Sequence, residues 1–155
     1  MTTKTQLQSK IQELEAELQP FKQQLNNYQK VTRETAVPGD VLEDGSIVLQ
    51  KSNGLVLLVA PASTEVLCEW SPEFPEVYQK LQKQGFNPSQ WFVPTKEQLQ
   101  LAYETIPEHL SSTIYWSSTG RCIHLAWVVG LSSGNTVWRN KEFSYSVRAF
   151  RCVTY

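Results

Sequence analysis

Much of what would commit this chain to a membrane, a polyanion or metal chemistry is missing. The longest apolar run, Gly54 to Ala62, is broken by Pro61 and falls far short of the ~20 residues that cross a bilayer. No membrane insertion is expected. Met1 to Lys10 is polar and has no apolar stretch of the kind that opens a secretory signal. Net charge is −1, so there is no basic excess to serve a nucleic acid, and none is expected as a partner. Cysteine is scarce. Cys68, Cys122 and Cys152 make an odd count with no CxxC or Cys/His ligand spacing, which argues against zinc or redox chemistry. Three buried reduced thiols are the first expectation, because free Cys is among the most buried residue types. One disulfide with a spare thiol is the alternative.

What is present is an ordinary folding composition with many aromatics. Of 155 residues, 41% are hydrophobic and 19% charged, with five Trp and six Tyr. That composition argues against disorder, and the length suits one domain with a single core.

The first 35 residues differ in pattern from the rest. Leu7, Ile11, Leu14, Leu18, Phe21, Leu25 and Tyr28 recur at alternating spacings of four and three, a heptad seam with Ile11, Leu18 and Leu25 at a and the others at d. A stripe this narrow leaves a lone helix with a wet apolar side, so parallel self-association through a coiled coil over residues 1–35 is expected. The same pattern also suits an amphipathic helix folded back on the domain. Pro20 lies inside the seam, where proline removes a backbone donor and clashes with the preceding turn. It predicts either a kinked helix or two stacked helices.

Val37-Pro38-Gly39-Asp40 is a turn signal that closes this segment, and residues 36–155 read as an α+β domain. Val41-Leu42 and Ile47 to Leu49 flank an Asp44-Gly45 turn, and Ser52-Asn53-Gly54 precedes the run Leu55 to Val59. These predict a small antiparallel meander. Glu73 to Gln84 carries Phe74, Val77, Tyr78 and Leu81 at helical spacing and stops at Gly85. Thr95 with Gln98 is a capping-box signal for a second helix that ends before Pro107. From Ser112 the pattern turns to strands over Thr113–Ser117, Ile123–Leu131, Thr136–Asn140 and Ser146–Val153, with a Ser132-Ser133-Gly134-Asn135 hairpin turn.

Trp91-Phe92-Val93-Pro94-Thr95, Tyr115-Trp116-Ser117-Ser118-Thr119, Ala126-Trp127-Val128-Val129, Ser133-Gly134-Asn135 and Val147-Arg148-Ala149-Phe150-Arg151-Cys152-Val153 together resemble the pattern of the collagen-like adhesin C-terminal (Lcl C-terminal) family. That family occurs in bacterial surface proteins and phage structural proteins, and its fold is similar to C-type lectins. The string is also similar to the variable proteins of diversity-generating retroelements, phage receptor-binding proteins among them. The likeness runs from about Gly39 to Val153. It departs in having Phe-Val where the family usually has Arg-Leu, and in having a coiled-coil pattern where a collagen-like repeat would stand.

The resemblance implies a C-type-lectin-like head on a homo-oligomeric stalk, a trimer rather than a dimer. It implies a non-enzymatic receptor-binding role in a virion, such as a phage tail fibre or appendage, toward a host cell-surface glycan or protein and beside other virion proteins. A purely structural virion part, a bacterial adhesin and a cytoplasmic ligand-binding protein are the alternatives. Carried over by position, the ligand face falls on Arg121, Ile123, His124, the tip Ser132 to Thr136 with Ser133 and Asn135, and the string Trp138 to Tyr145 with Arg139, Asn140, Lys141 and Phe143. Trp and Arg there suit recognition, while Trp138 and Phe143 also suit half-buried strand positions.

The motif residues themselves read as scaffold. The Trp116 ring fills a core, the Ser hydroxyls satisfy backbone groups, and Arg148 and Arg151 tie loops together. The late loops supply almost no carboxylate or amide oxygens for calcium, so no metal and no cofactor are expected. Cys122 and His124 stand two apart, on one face if their segment is a strand. With no orienting acid in sight, an inward-packed Cys122 is the simpler reading. The cysteine arrangement of the sulfatase-activating oxidases, which use a related fold, is not recognisable.

Overall fold

Thr3 opens the first helix, α1 (Lys4–Gln29), with a reciprocal cap. Its hydroxyl accepts from the Gln6 amide at 3.2 Å, and the Gln6 side chain accepts from the Thr3 amide at 2.9 Å. Two of the amides that a helix start leaves unpaired are thereby satisfied. The computed structural model describes residues 3–29 and 35–154, with the side chains of all but 23–29. It divides into two units, Met1–Thr35 and Ala36–Tyr155, each taken by itself below. Part of the turn-bearing Thr32–Pro38 stretch thus lies outside the described residues.

α1 runs through Pro20 as a single helix, rather than as two stacked ones. Leu7, Ile11, Leu14, Leu18 and Phe21 are 47% to 65% exposed, so the whole apolar stripe among the described side chains faces water. The Leu25 and Tyr28 side chains lie outside those described. No helix among the described residues is long and apolar enough to cross a membrane.

The second unit is α+β. Its strands are β1 (Ile47–Ser52), β2 (Leu55–Val59), β3 (Val66–Cys68), β4 (Ile114–Gly120), β5 (Leu125–Gly130), β6 (Thr136–Asn140), β7 (Tyr145–Val147) and β8 (Phe150–Thr154). Its helices are α2 (Pro75–Lys83) and α3 (Lys96–Thr105). An antiparallel three-stranded sheet has the order β1-β2-β8, and a five-stranded sheet has the order β3-β7-β4-β5-β6, in which β4 and β7 are parallel. Phe92, which lies outside both sheets, exchanges backbone hydrogen bonds of 2.9 and 2.8 Å with Phe150 of β8.

Local chemistry fixes several of these elements. Asn53 (φ 51°) and Gly54 (φ 76°) give the β1–β2 hairpin the two positive φ values its tight turn requires. The Asp44-Gly45 turn yields only an isolated bridge, Val41 to Ile47, not a second hairpin arm. α2 begins at Pro75, two residues later than the apolar spacing predicts, because Phe74 at φ 41° caps it from outside the helical region. It ends in a Schellman motif: the Gly85 amide donates to Gln82 and the Phe86 amide to Leu81, at 3.1 and 3.0 Å. α3 carries the expected capping box between Thr95 and Gln98.

Two core clusters flank the five-stranded sheet. On one face, Trp116, Ala126, Val128 and Val147 pack with Val77 and Leu81 of α2. On the other, Tyr115, Val129 and Leu131 pack with Leu99 and Ala102 of α3 and with Leu49, Val59 and Phe150 of the smaller sheet. Adjacent Tyr115 and Trp116 thus serve opposite clusters, as strand alternation dictates.

Three sequence expectations are corrected. The segment Ser146–Val153 is two strands, broken at Arg148-Ala149 where the chain leaves the larger sheet for the smaller. The strand predicted from Ile123 starts at Leu125, since residues 122–124 form a bend. Of the cysteines only Cys68 is buried; Cys122 and Cys152 are exposed, and all three are free. Cys122 lies in that bend, and Cys152 occupies an outward position of β8. β3 carried too little pattern to be read beforehand.

Candidate functional site

β5 and β6 form the outer hairpin of the five-stranded sheet, in a register that pairs Trp127 with Trp138. Their rings pack edge to face, with centroids 5.4 Å apart and planes at 85°, the arrangement aromatic quadrupoles favour. Ala126 and Val128 point into the core, so alternation turns Trp127 to the opposite face, beyond the end of the core that α3 covers. Trp138 is 44% exposed.

Two cations bracket the pair. The Arg121 guanidinium lies 3.7 Å from the Trp138 ring centre and 5.8 Å from that of Trp127. The Lys96 ammonium, at the start of α3, lies 4.0 Å from the Trp127 ring centre. Both fall within the ~6 Å reach of cation–π attraction. Arg121 is set by its own amide, which donates to the Leu125 carbonyl at 2.9 Å. Lys96 is set by its amide, which donates to the Thr119 hydroxyl at 3.2 Å.

The other expected residues do not all join this face. Alternation along β6 puts Arg139 on the side opposite Trp138, with Val137, which packs against the α2-side cluster. Arg139 donates to the carbonyl of Trp138 at 3.0 Å. Lys141 follows it to that side, with its ammonium 4.3 Å from the Trp70 ring centre. Phe143 is exposed and packs edge to face on Tyr145, itself against the core ring Trp116. Asn140 accepts from the Glu142 amide at 2.9 Å and shapes the loop between them. The loop at residues 121–124 stays close, since the Lys141 amide donates to the His124 carbonyl at 2.9 Å. Ile123 there is 81% exposed.

Ser133 and Asn135 sit in the turn at the opposite end of the hairpin. That turn is tied to α3, because the Gln100 side chain donates to the Gly134 carbonyl and to the Thr136 hydroxyl, at 2.6 and 2.7 Å. The expected binding string therefore divides into a Trp138 face with Arg121, a reverse side with Arg139, Lys141 and Phe143, and a remote turn.

Trp127 and Lys96 were not expected in the site. Trp127 could have been found from its alternation with Ala126 and Val128. Lys96 had no such signal, because its place over the ring depends on how α3 docks.

Charge is unevenly spread here. The second unit has nine Lys and Arg against eleven Asp and Glu, a net of −2 with His neutral. Yet Lys96, Arg121, Arg139 and Lys141 make no ion pair among the described residues. The hairpin's outer end is thus cationic and aromatic on an otherwise acidic unit. Among the described residues no group of three or more His, Cys, Asp or Glu is placed to hold a metal ion.

No protein-family model matches the chain, and no curated protein matches it at a significant level.

Proposed function

We propose that this chain is a non-enzymatic, oligomeric binding protein, in which α1 forms a coiled-coil stalk and residues 36–155 a C-type-lectin-like head. Its role is recognition of a host-surface glycan or protein from a phage tail fibre or other virion appendage. The observation that carries the recognition role is the Trp127–Trp138 pair, with Trp138 exposed and Trp127 half-buried, bracketed by Arg121 and Lys96. Flat, rigid rings supply contact area at low entropic cost, and cations free of carboxylate partners supply directional donors. The virion setting and the trimeric state rest on the resemblance of the motif string alone. Multivalency suits such a head, since clustering weak sites raises avidity by ~100-fold or more without new contacts.

The test is a glycan array and a whole-cell binding assay on the full chain, with Trp138→Ala, Arg121→Ala and, at the remote turn, Ser133→Ala. The first two variants should lose about tenfold or more in affinity while melting like the parent, and Ser133→Ala should bind as the parent does. Binding that survives both face variants removes this face. Absence of binding to every cell and glycan points instead to a purely structural virion part.

A further inference from the structure

Heptad positions beside the apolar seam of α1 carry a charge order that has a use only between copies. With Ile11 and Leu18 at a and Leu7, Leu14 and Phe21 at d, the flanking g positions are Lys10 and Glu17 and the flanking e positions are Gln8, Glu15 and Lys22. In parallel coiled coils a g residue faces the e residue five positions on in its neighbour. Lys10 then meets Glu15 of a second copy, and Glu17 meets Lys22 of a second copy. Both contacts join opposite charges.

Other arrangements lose this match. Sliding one helix by a heptad sets Lys10 against Lys22 on one side of the interface and Glu17 against Glu15 on the other. An antiparallel pair that keeps Leu14 layered on Leu18 gathers Glu15 and Glu17 of both copies at its centre. Within one helix Glu15 has no charged neighbour, because the positions three and four away are Ile11, Gln12, Leu18 and Gln19. The same holds for Lys22, whose neighbours there are Leu18, Gln19, Leu25 and Asn26. Lys10 pairs within its helix only with Glu13, at 3.6 Å, with both side chains about two-thirds exposed.

Resting on the stalk reading above, we infer that the exposed stripe of α1 is covered by further copies of this chain in parallel and in register, an order set by the Lys10–Glu15 and Glu17–Lys22 contacts between copies. Pro20 occupies an outer c position, so its ring does not enter the seam.

The experiment is sedimentation equilibrium on the full chain as parent, Lys10→Glu, Glu15→Lys and the double variant, in low salt and in 1 M salt, with helix content followed by circular dichroism. Each single reversal should weaken self-association by about fivefold or more in low salt, and the double variant should recover most of the loss. The differences should vanish in 1 M salt, where screening acts over about 3 Å. Single reversals that leave a self-associating parent unchanged, or a double variant weaker than both singles, overturn the charge order and leave the stalk standing. A parent that is monomeric throughout overturns both.

Discussion

Arg148 is the most consequential buried side chain outside the candidate site. It is 2% exposed, and its guanidinium donates to the Glu65 carboxylate at 3.1 Å and to the His109 carbonyl at 2.8 Å. The Tyr115 hydroxyl also donates to Glu65, Ser111 donates to its other oxygen at 3.1 Å, and the Ser111 amide donates to the Tyr115 hydroxyl at 3.0 Å. One ion pair thus fastens the loop before β3, the loop before β4 and the crossing between the sheets. The two halves are not equally placed: the side chain of Glu65 is 19% exposed and that of Arg148 1%. Glu65→Ala strands a cation that water cannot reach, while Arg148→Ala leaves a carboxylate that water can reach. Both should lower unfolding free energy by about 3 to 5 kcal/mol, as broken buried pairs do, with Glu65→Ala the worse. Guanidinium titrations of the two variants decide the order, and equal small losses would contradict it. In the sequence Arg148 and Arg151 look alike. Only the crossing between sheets buries the first, while the second stays half-exposed with its guanidinium 5.9 Å from the Trp91 ring centre.

Among elements, those fixed by local chemistry were legible beforehand and those fixed by distant contacts were not. The seam of α1, the Thr95 cap, the Asn53-Gly54 hairpin and the turn before β6 all announce themselves within a few residues. β3 is three residues long and exists because β7 pairs with it, so no local pattern marks it. The candidate site shares this limit. Trp138 and Arg121 were reached through the motif likeness, and the division of the expected string follows from alternation along the Thr136–Asn140 strand, which carrying residues over by position does not apply. Gly134 shows how local and distant demands coincide in one element. Its φ is +76°, and a Cβ there would lie 2.4 Å from the Tyr103 ring. Gly134→Ala should therefore cost more than the ~1 to 2 kcal/mol of a left-handed residue alone. Adding Tyr103→Ala should relieve the clash but not the backbone strain, as a partial rescue in a double-mutant cycle of urea midpoints.

At the scale of the whole molecule, two buried acids make the fold sensitive to alkali. Burial, with the nearby Glu76 and Glu69 carboxylates, pushes the Cys68 thiol up from its ordinary 9.0 to about 11. Burial and the hydrogen bond to Glu65 raise the Tyr115 phenol above its ordinary 10.0. In each case the folded state holds a proton that the unfolded chain releases, so the stabilisation is complete below the ordinary pKa, 9.0 for Cys68 and 10.0 for Tyr115, and drains away above it, for Cys68 as pH rises toward about 11. The melting temperature should fall steadily over that range, and Cys68→Ala should delay the start of the fall to near pH 10. A melting temperature flat from pH 9 to 11 would refute the assignment.

The smaller sheet also has a kinetic meaning. β2 pairs with β8 from Leu55–Thr154 to Val59–Phe150, contacts between positions about ninety to a hundred residues apart. The entropy of closing so long a loop must be spent before those strands hold each other, and topologies of this kind fold slowly, in milliseconds to seconds. α1 needs no such closure. Helical turns form in about a microsecond or less, so on a refolding chain the turns of α1 form on a timescale thousands of times shorter than the one on which β2 finds β8.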